Sequence, residues 1–128
     1  AYLTIQGALP DAGRIWPGRR RFTLQEMAFA QSCRETLERG EAAVQQSLAP
    51  IQPVRRGKEG AELARTLQVY LLDTEGSVAH TAERLFLHKN TVKYRMQQIR
   101  GRLGYPADKL PESFGLYTAC ALERLLNL

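Results

Sequence analysis

The 128-residue chain is predicted to be mainly α-helical. Apolar residues recur at spacings of three and four along most of its length, which is the period of an amphipathic helix. Residues that start and stop helices, Ser and Pro at the beginnings and Gly at the ends, bound several of these stretches. The composition, 44% hydrophobic and 24% charged, is that of an ordinary globular protein.

The N-terminal part is predicted to contain one short strand and a helical segment. Residues 2–5, Tyr-Leu-Thr-Ile, favour a strand, and the Gly, Pro and Asp residues that follow favour turns. Residues 23–48 have a helical pattern that Gly40 interrupts. Pro50, Pro53 and the basic cluster at residues 55–58 predict a linker, because proline does not continue a helix. We therefore expect an N-terminal segment and linker over residues 1–58, as the tail of an upstream sensor or middle domain.

Residues 59–128 are predicted to form a separate domain with a core of four helices. The first begins near Gly60 and is complete at Gly76, and Ser77 supplies an N-cap oxygen for a short second helix. After a three-residue turn, the third helix covers Lys89–Leu103. The apolar residues of the last helix, residues 112–126, are spread widely around its circumference. That helix is either buried centrally or shared with another subunit.

The third helix is predicted to have one apolar face and one exposed polar face. A narrow sector of its helical wheel holds Val92, Met96, Ile99 and Leu103. The opposite side carries Asn90, Lys93, Tyr94, Gln97 and Gln98, with Thr91 at its edge. Residues 81–104 contain six Lys and Arg against Glu83 alone, so this segment by itself matches the net charge of +5 of the whole chain. An anionic partner is therefore expected at this helix.

The residue types on this face favour double-stranded DNA as the partner. Basic side chains neutralise phosphates, and the N-terminal amides of a helix add a positive dipole. The amide of Asn90 is suited to adenine, Thr91 to a phosphate or a thymine methyl group, and Lys93 to guanine or phosphate. The short second helix would brace the third in the major groove, as in a helix-turn-helix. Because one such motif contacts little DNA, a homodimer on two half-sites is expected.

The same residues carry a resemblance to a known family. Within residues 77–96 the pattern is Ser77, Thr81-Ala82, Leu85, then His88-x-Asn90-Thr91-Val92-x-Tyr94-Arg95. This pattern closely resembles the C-terminal helix-turn-helix of PucR/CdaR-type regulators, the purine-catabolism and sugar-diacid family. Thr66-Leu67 and Tyr70-Leu71 resemble the helix that precedes it in that family. At the level of fold the arrangement is similar to the Fis-type four-helix DNA-binding domain.

The resemblance implies a bacterial transcriptional regulator, with any effector bound by an upstream domain. A cytoplasmic location is expected because the sequence has no long apolar run and no signal-peptide pattern. Together with the residue types, it gives a set of candidate DNA-binding residues: Ser77, His88, Lys89, Asn90, Thr91, Lys93, Tyr94, Arg95 and Gln97. Two alternatives are open for Arg95, which lies toward the flank of the apolar face. It forms an ion pair between helices, or it reaches a flanking phosphate.

Other classes of function find little support in the sequence. No catalytic motif occurs, so an enzyme is not expected. His80 and His88 lie outside any metal-ligand spacing, and no metal, cofactor or membrane segment is expected. Cys33 and Cys120 are expected to be buried reduced thiols. RNA is disfavoured because Tyr94 is the lone aromatic residue on the face. The alternative function is a helical protein-interaction or oligomerisation module whose basic face is only solvated.

Overall fold

The computed structural model describes the backbone of residues 2–128 and the side chains of residues 8–128. Its α-helices are α1 (Tyr2–Ile15), α2 (Leu24–Glu38), α3 (Glu41–Leu48), α4 (Gln52–Arg55), α5 (Gly60–Gln68), α6 (Val78–Leu85), α7 (Lys89–Leu103) and α8 (Glu112–Leu125). A 3-10 turn (Ala49–Ile51) joins α3 to α4, and a π-helical turn (Val69–Asp73) extends α5. Residues 2–128 contain no strand, and none of their helices is long and apolar enough to cross a membrane. The prediction of a mainly α fold is confirmed.

The first helix replaces the strand and turns that were predicted at the N-terminus. Residues 2–5 lie in the first turns of α1, so the prediction of a strand there is wrong. Ala8, Ala12 and Ile15 are fully buried at spacings of four and three, which places them on one helical face toward α2. Burial of that face outweighs the local preference of Tyr, Thr and Ile for strands.

The segment between α3 and α5 is helical, although its prolines predicted a linker. Pro50 and Pro53 occupy the first positions of the 3-10 turn and of α4. At these positions a missing N–H removes no hydrogen bond within the helix. Ile51 and Val54 are fully buried. The expectation that proline excludes a helix here is wrong, because it applied a rule for helix interiors to helix starts.

The helical segment predicted at residues 23–48 is confirmed, as is its interruption at Gly40. Thr23 and Glu26 form a reciprocal capping box at the start of α2, with hydrogen bonds of 3.0 and 2.8 Å. Such a box satisfies two backbone donors that the first turn would otherwise leave unpaired. Gly40 has a φ of 101°. This value belongs to the region that favours glycine, so the chain changes direction there before α3 begins.

The last helix, α8, lies at the centre of the core. It packs against α1, α3, α5 and the 3-10 turn, and its buried apolar residues are Leu116, Ala119, Cys120, Ala121, Leu122 and Leu125. Of the two alternatives that the sequence left for this helix, central burial is the one observed for these residues. One hydrophobic core therefore includes side chains from residues 8–58 and from residues 59–128. The division of the chain after residue 58 stays a prediction.

A buried carboxylate on α8 joins three elements of this core. The side chain of Glu123 is 1% exposed. Its Oε2 accepts a hydrogen bond from Nε of Arg55, at the end of α4, and its Oε1 accepts one of 2.8 Å from Nε2 of Gln68 on α5. A buried charge is tolerated only when it is paired and hydrogen-bonded. Glu123 therefore fixes the positions of α4 and α5 relative to α8.

Both cysteines are buried and unpaired, as predicted. Burial, with a smaller contribution from the charge of Asp11, raises the pKa of Cys33 to about 12. Burial also raises the pKa of Cys120, with Glu123 as the second cause. The thiolate is the reactive form of cysteine, so both side chains serve here as small apolar core residues.

The Arg55–Glu123 pair gives a test of this core. Replacing one partner leaves a buried charge without compensation, so we expect Arg55→Met to lower the free energy of unfolding by about 3 kcal/mol. In the double variant Arg55→Met/Glu123→Leu the buried charge is gone, and most of that loss should be recovered. Urea titrations followed by circular dichroism measure both. Arg20→Met, at an exposed position, is the control and should change stability by less than about 0.5 kcal/mol. A double variant no more stable than Arg55→Met would contradict the role given to Glu123.

Candidate nucleic-acid interface

Helix α6 begins at the N-cap that the sequence predicted. Ser77 has an extended backbone, and its Oγ accepts a hydrogen bond of 3.1 Å from the N–H of His80. Thr81 and Ala82 on the inner side of the helix are buried. The hydroxyl groups of Thr81 and Thr74 lie 2.9 Å apart, which ties α6 to the π-helical turn before it. The helix is thus held at its N-terminus and along its inner side.

A turn of three residues joins α6 to α7, and its first residue is unusual. Phe86 has a left-handed backbone, with φ 56° and ψ 42°, and its side chain is 94% exposed. The N–H of Leu87 donates to the carbonyl of Ala82 at 2.9 Å, which closes the end of α6. A left-handed backbone costs a residue other than glycine roughly 1–2 kcal/mol. Burial of the Phe86 ring within this chain does not offset that cost.

Helix α7 has a capping residue at each end. His88 is the N-cap, and its Nδ1 accepts a hydrogen bond of 3.0 Å from the N–H of Asn90. Gly104 ends the helix with a φ of 85°, a value at which glycine is unstrained. The predicted bounds of this helix are therefore confirmed. His88 thus caps the helix, while its imidazole remains exposed.

One face of α7 is apolar and points into the protein. Val92 and Ile99 are fully buried, and Met96 and Leu103 are partly buried against the main core. These are the four residues that the helical wheel predicted for the inner face. They set the depth and the rotation of α7 on the rest of the domain.

A second face of α7 makes polar contacts with α5. Nη1 of Arg95 donates to Oγ1 of Thr66 at 3.2 Å, and its Nη2 lies 3.5 Å from Oε2 of Glu62. The Arg95 side chain is 22% exposed, so it lies largely between the two helices. Of the two alternatives for Arg95, the ion pair between helices is present. Its contact with DNA stays a prediction.

Gln98 and Arg102 continue this second face, which we call the polar face (Arg95, Gln98 and Arg102). Gln98 donates to Oε2 of Glu59 at 2.9 Å, although the sequence had placed it on the exposed side. Nη1 of Arg102 donates to the carbonyl of Val54 at 3.0 Å and also to that of Arg56. These carbonyls end α4, where a cation is favoured. The helical spacing of residues 95, 98 and 102 was the sequence feature that could have predicted this face.

The remaining side of α7 is the exposed face, which consists of Lys89, Asn90, Lys93, Tyr94, Gln97 and Arg100. With 100° between successive residues, these six occupy one continuous sector. Tyr94 is 61% exposed. Thr91 is half-buried and lies within the sector of the polar face, between Gln98 and Arg102, whereas the sequence had placed it at the edge of the exposed side. Arg100 is an addition to the candidate residues, because the sequence interpretation had counted it only toward the charge.

The structure reduces the positive charge that the exposed face can offer. Of the six basic residues in 81–104, Arg95 and Arg102 are bonded to other parts of the protein. Arg84 lies against the turn after α1, where its Nη1 is 3.6 Å from the position that a Cβ on Gly18 would occupy. The basic residues left on the exposed face are Lys89, Lys93 and Arg100.

Helices α6 and α7 therefore form a helix-turn-helix. A capped first helix and a tight turn hold a second helix, which is anchored on two sides and open on the third. This is the arrangement of the DNA-binding helix-turn-helix class.

The comparisons with known proteins identify the family. Residues 63–122 match the family model described as the PucR C-terminal helix-turn-helix domain. The chain is 36% identical over 76 residues to an uncharacterised protein of Haemophilus influenzae, and 34% identical over 70 residues to the purine catabolism regulatory protein of Bacillus subtilis. No solved structure matches. The match of residues 63–122 to the PucR C-terminal helix-turn-helix domain confirms the resemblance and indicates a DNA-binding, regulatory class.

The matches cover only a small part of those relatives. The aligned residues are 59% and 55% of this chain but 20% of the Haemophilus protein and 13% of the Bacillus protein. The chain thus spans no more than about a fifth of the curated relatives it matches.

The turn between α6 and α7 can be tested by comparing two substitutions at Phe86. Phe86→Gly and Phe86→Ala both remove the exposed ring, but only glycine adopts the left-handed backbone without strain. We expect the glycine variant to be more stable than the alanine variant by about 1 kcal/mol, measured by chemical unfolding. Equal stability of the two would show that the turn in solution lacks the left-handed residue.

Proposed function

We propose that this chain binds double-stranded DNA in a sequence-specific way, as part of a transcriptional regulator, with α7 in the major groove. The observation that carries the proposal is the exposed face of α7. The apolar and polar faces hold the helix in place, whereas none of the six residues of the exposed face has an ion pair among the described side chains. A rigid helix that keeps three cations and two amides unpaired is suited to an anionic, hydrogen-bonding partner.

The phosphate contacts would come from both helices of the motif. Lys89, Lys93 and Arg100 share one edge of the exposed face, where they can follow one DNA strand. The capped N-terminus of α6 at Ser77 offers backbone amides to a phosphate. His88 uses Nδ1 to cap α7, which leaves its exposed Nε2 as a hydrogen-bond donor. These contacts would fix the register of α7 without selecting a sequence.

The base contacts would come from the amide side chains of the exposed face. Asn90 and Gln97 carry amide groups that can form two hydrogen bonds with an adenine. Tyr94 lies at the far edge of the exposed face, and Thr91 lies beyond that edge, on the polar face. Arg95 donates a hydrogen bond to Thr66, and its proposed role is to orient α7.

The alternative of an interaction module loses most of its surface in this fold. It relied on the apolar residues of the last helix and of the helix that follows Thr23. In the described residues, Leu116, Leu122 and Leu125 of α8 and Met27 of α2 are buried within the chain itself, whereas Leu24 of α2 and Phe114 of α8 stay exposed. DNA binding therefore remains the better-supported proposal.

We also propose that the protein acts on DNA as a homodimer. A single helix-turn-helix covers a short site, and two copies related by a two-fold axis would place their recognition helices about 34 Å apart. Two half-sites separated by about 10 base pairs would then provide the specificity that one copy lacks.

Substitution of Lys93 tests the phosphate contacts. Lys93→Ala should weaken binding to all duplexes alike and reduce the slope of log affinity against log salt by about 1, because one phosphate contact is lost. Fluorescence anisotropy at several salt concentrations measures both quantities. Arg21→Ala removes the same charge from an exposed position before α2 and should leave the slope unchanged. An unchanged slope for Lys93→Ala would argue against a phosphate contact at this residue.

Substitution of Asn90 tests the base contacts. A selection from random duplex oligonucleotides first defines the preferred site and the spacing of its half-sites. On that site Asn90→Ala should lose about 1–3 kcal/mol of binding free energy and relax the preference at one base pair, with little effect on random DNA. Gln45→Ala, on the exposed surface of α3, is the matched control. Equal losses on specific and random DNA would refute base recognition by Asn90, and a selection without enrichment would refute the proposed function.

A further inference from the structure

A second cationic surface lies away from the exposed face of α7, in a cleft of about 520 Å³. The cleft opens where the C-terminal ends of α1 and α8 meet α5 and the end of α6. Five arginines line it: Arg14, Arg55, Arg65, Arg84 and Arg124. We call it the arginine cleft. Its volume lies within the range of small-molecule sites in proteins.

Two of the five arginines are neutralised by carboxylates. Arg124 forms two hydrogen bonds with Asp73, of 2.8 and 2.7 Å, and Arg55 is paired with the buried Glu123. Because each of these guanidinium groups already has its own partner, they add little net charge to the cleft. These two ion pairs hold Arg55 and Arg124 in place on the side of the cleft next to α8.

The other three arginines are in no ion pair among the described residues. Arg14 donates to the backbone carbonyl of Leu125, which caps α8 but does not cancel the charge. Arg65 and Arg84 are exposed, and Arg84 lies against Gly18 in the turn after α1. Three guanidinium groups from three different helices therefore line one cleft with no ion pair of their own, and Asp73, the carboxylate of the lining, is already paired with Arg124. An anion placed among the three would add a favourable charge interaction.

The lining chemistry limits what the anion can be. Guanidinium groups bind phosphate and carboxylate oxygens through paired hydrogen bonds. A carboxylate is planar and satisfies one such group well, whereas a tetrahedral phosphate presents oxygens in several directions at once. Arg14, Arg65 and Arg84 belong to three different helices, α1, α5 and α6, so a ligand with oxygens in several directions can satisfy more of them than a planar carboxylate can. The lining residues include no aromatic side chain, so the site has no surface on which a nucleobase would stack.

We propose that the arginine cleft is a binding site for a small phosphate-containing anion, held by Arg14, Arg65 and Arg84. The ligand connects α1 of the N-terminal segment with α5 and α6 of the helix-turn-helix domain. This site is independent of the DNA-binding proposal, because none of its residues belongs to the exposed face of α7.

Thermal unfolding of the 128-residue chain tests the site with inorganic pyrophosphate as the probe, compared with sodium chloride at equal ionic strength. Pyrophosphate should raise Tm in a saturable way, by about 4 °C at ten times its Kd. Arg65→Gln/Arg84→Gln, at two exposed positions, should keep the fold by circular dichroism and lose the shift. Arg20→Gln/Arg21→Gln, at exposed positions outside the cleft lining, should keep the shift.

Three results would overturn the proposal. The first is an absent or non-saturable shift, or a shift that Arg65→Gln/Arg84→Gln retains. The second is an equal shift with malonate, which would make the cleft a carboxylate site. The third is a loss of DNA affinity in Arg65→Gln/Arg84→Gln with no pyrophosphate effect in the unsubstituted chain, which would assign the arginines to the DNA backbone. Failure of DNA binding itself would leave the pyrophosphate result unaffected, so the two proposals are separately testable.

Discussion

The buried carboxylate of Glu123 is the constraint on which the arrangement of this domain depends. It lies on the central helix α8 and is satisfied by one side chain from α4 and one from α5. A buried charge without those partners would be strongly unfavourable, so the three elements are held in one relative position. Helix α5 in turn supports α7 through Thr66 and Glu62. The orientation of the exposed face therefore follows from a contact in the core that lies outside that face.

Helix α7 is anchored to the protein on two faces and leaves its third face exposed to solvent. Its apolar face sets its depth, its polar face sets its rotation, and the side chains of the third face keep their hydrogen-bonding groups for a partner. Arginine serves two purposes here, because Arg95 and Arg102 anchor the helix while Arg100 stays in solvent. Net charge counted along the sequence is thus a poor measure of the charge that a partner meets.

Much of the helix-turn-helix could be predicted from the sequence because its determinants are local. The caps at Ser77, His88 and Gly104 and the apolar spacing of α7 act within a few residues. The wrong predictions for the N-terminal part concern residues whose structure depends on contacts with distant parts of the chain. Residues 2–5 are helical within a segment that packs against α2. Pro50 and Pro53 sit at helix starts, where proline is tolerated, and the burial of Ile51 and Val54 favours these helices. The partners of Gln98 and Arg102 were likewise out of reach, since they lie some 40 residues away in the chain.

The contact of Arg102 with the end of α4 couples the orientation of α7 to the position of α4. Arg102 lies near one end of the helix and Asn90 near the other, about 18 Å apart at a rise of 1.5 Å per residue. A displacement of residues 52–56 has to break the bonds of Arg102 or tilt the helix, and a tilt about the buried middle moves the two ends in opposite directions. In the proposed DNA complex, such a tilt would alter which bases Asn90 can reach. The N-terminal segment would then influence the choice of operator without touching DNA.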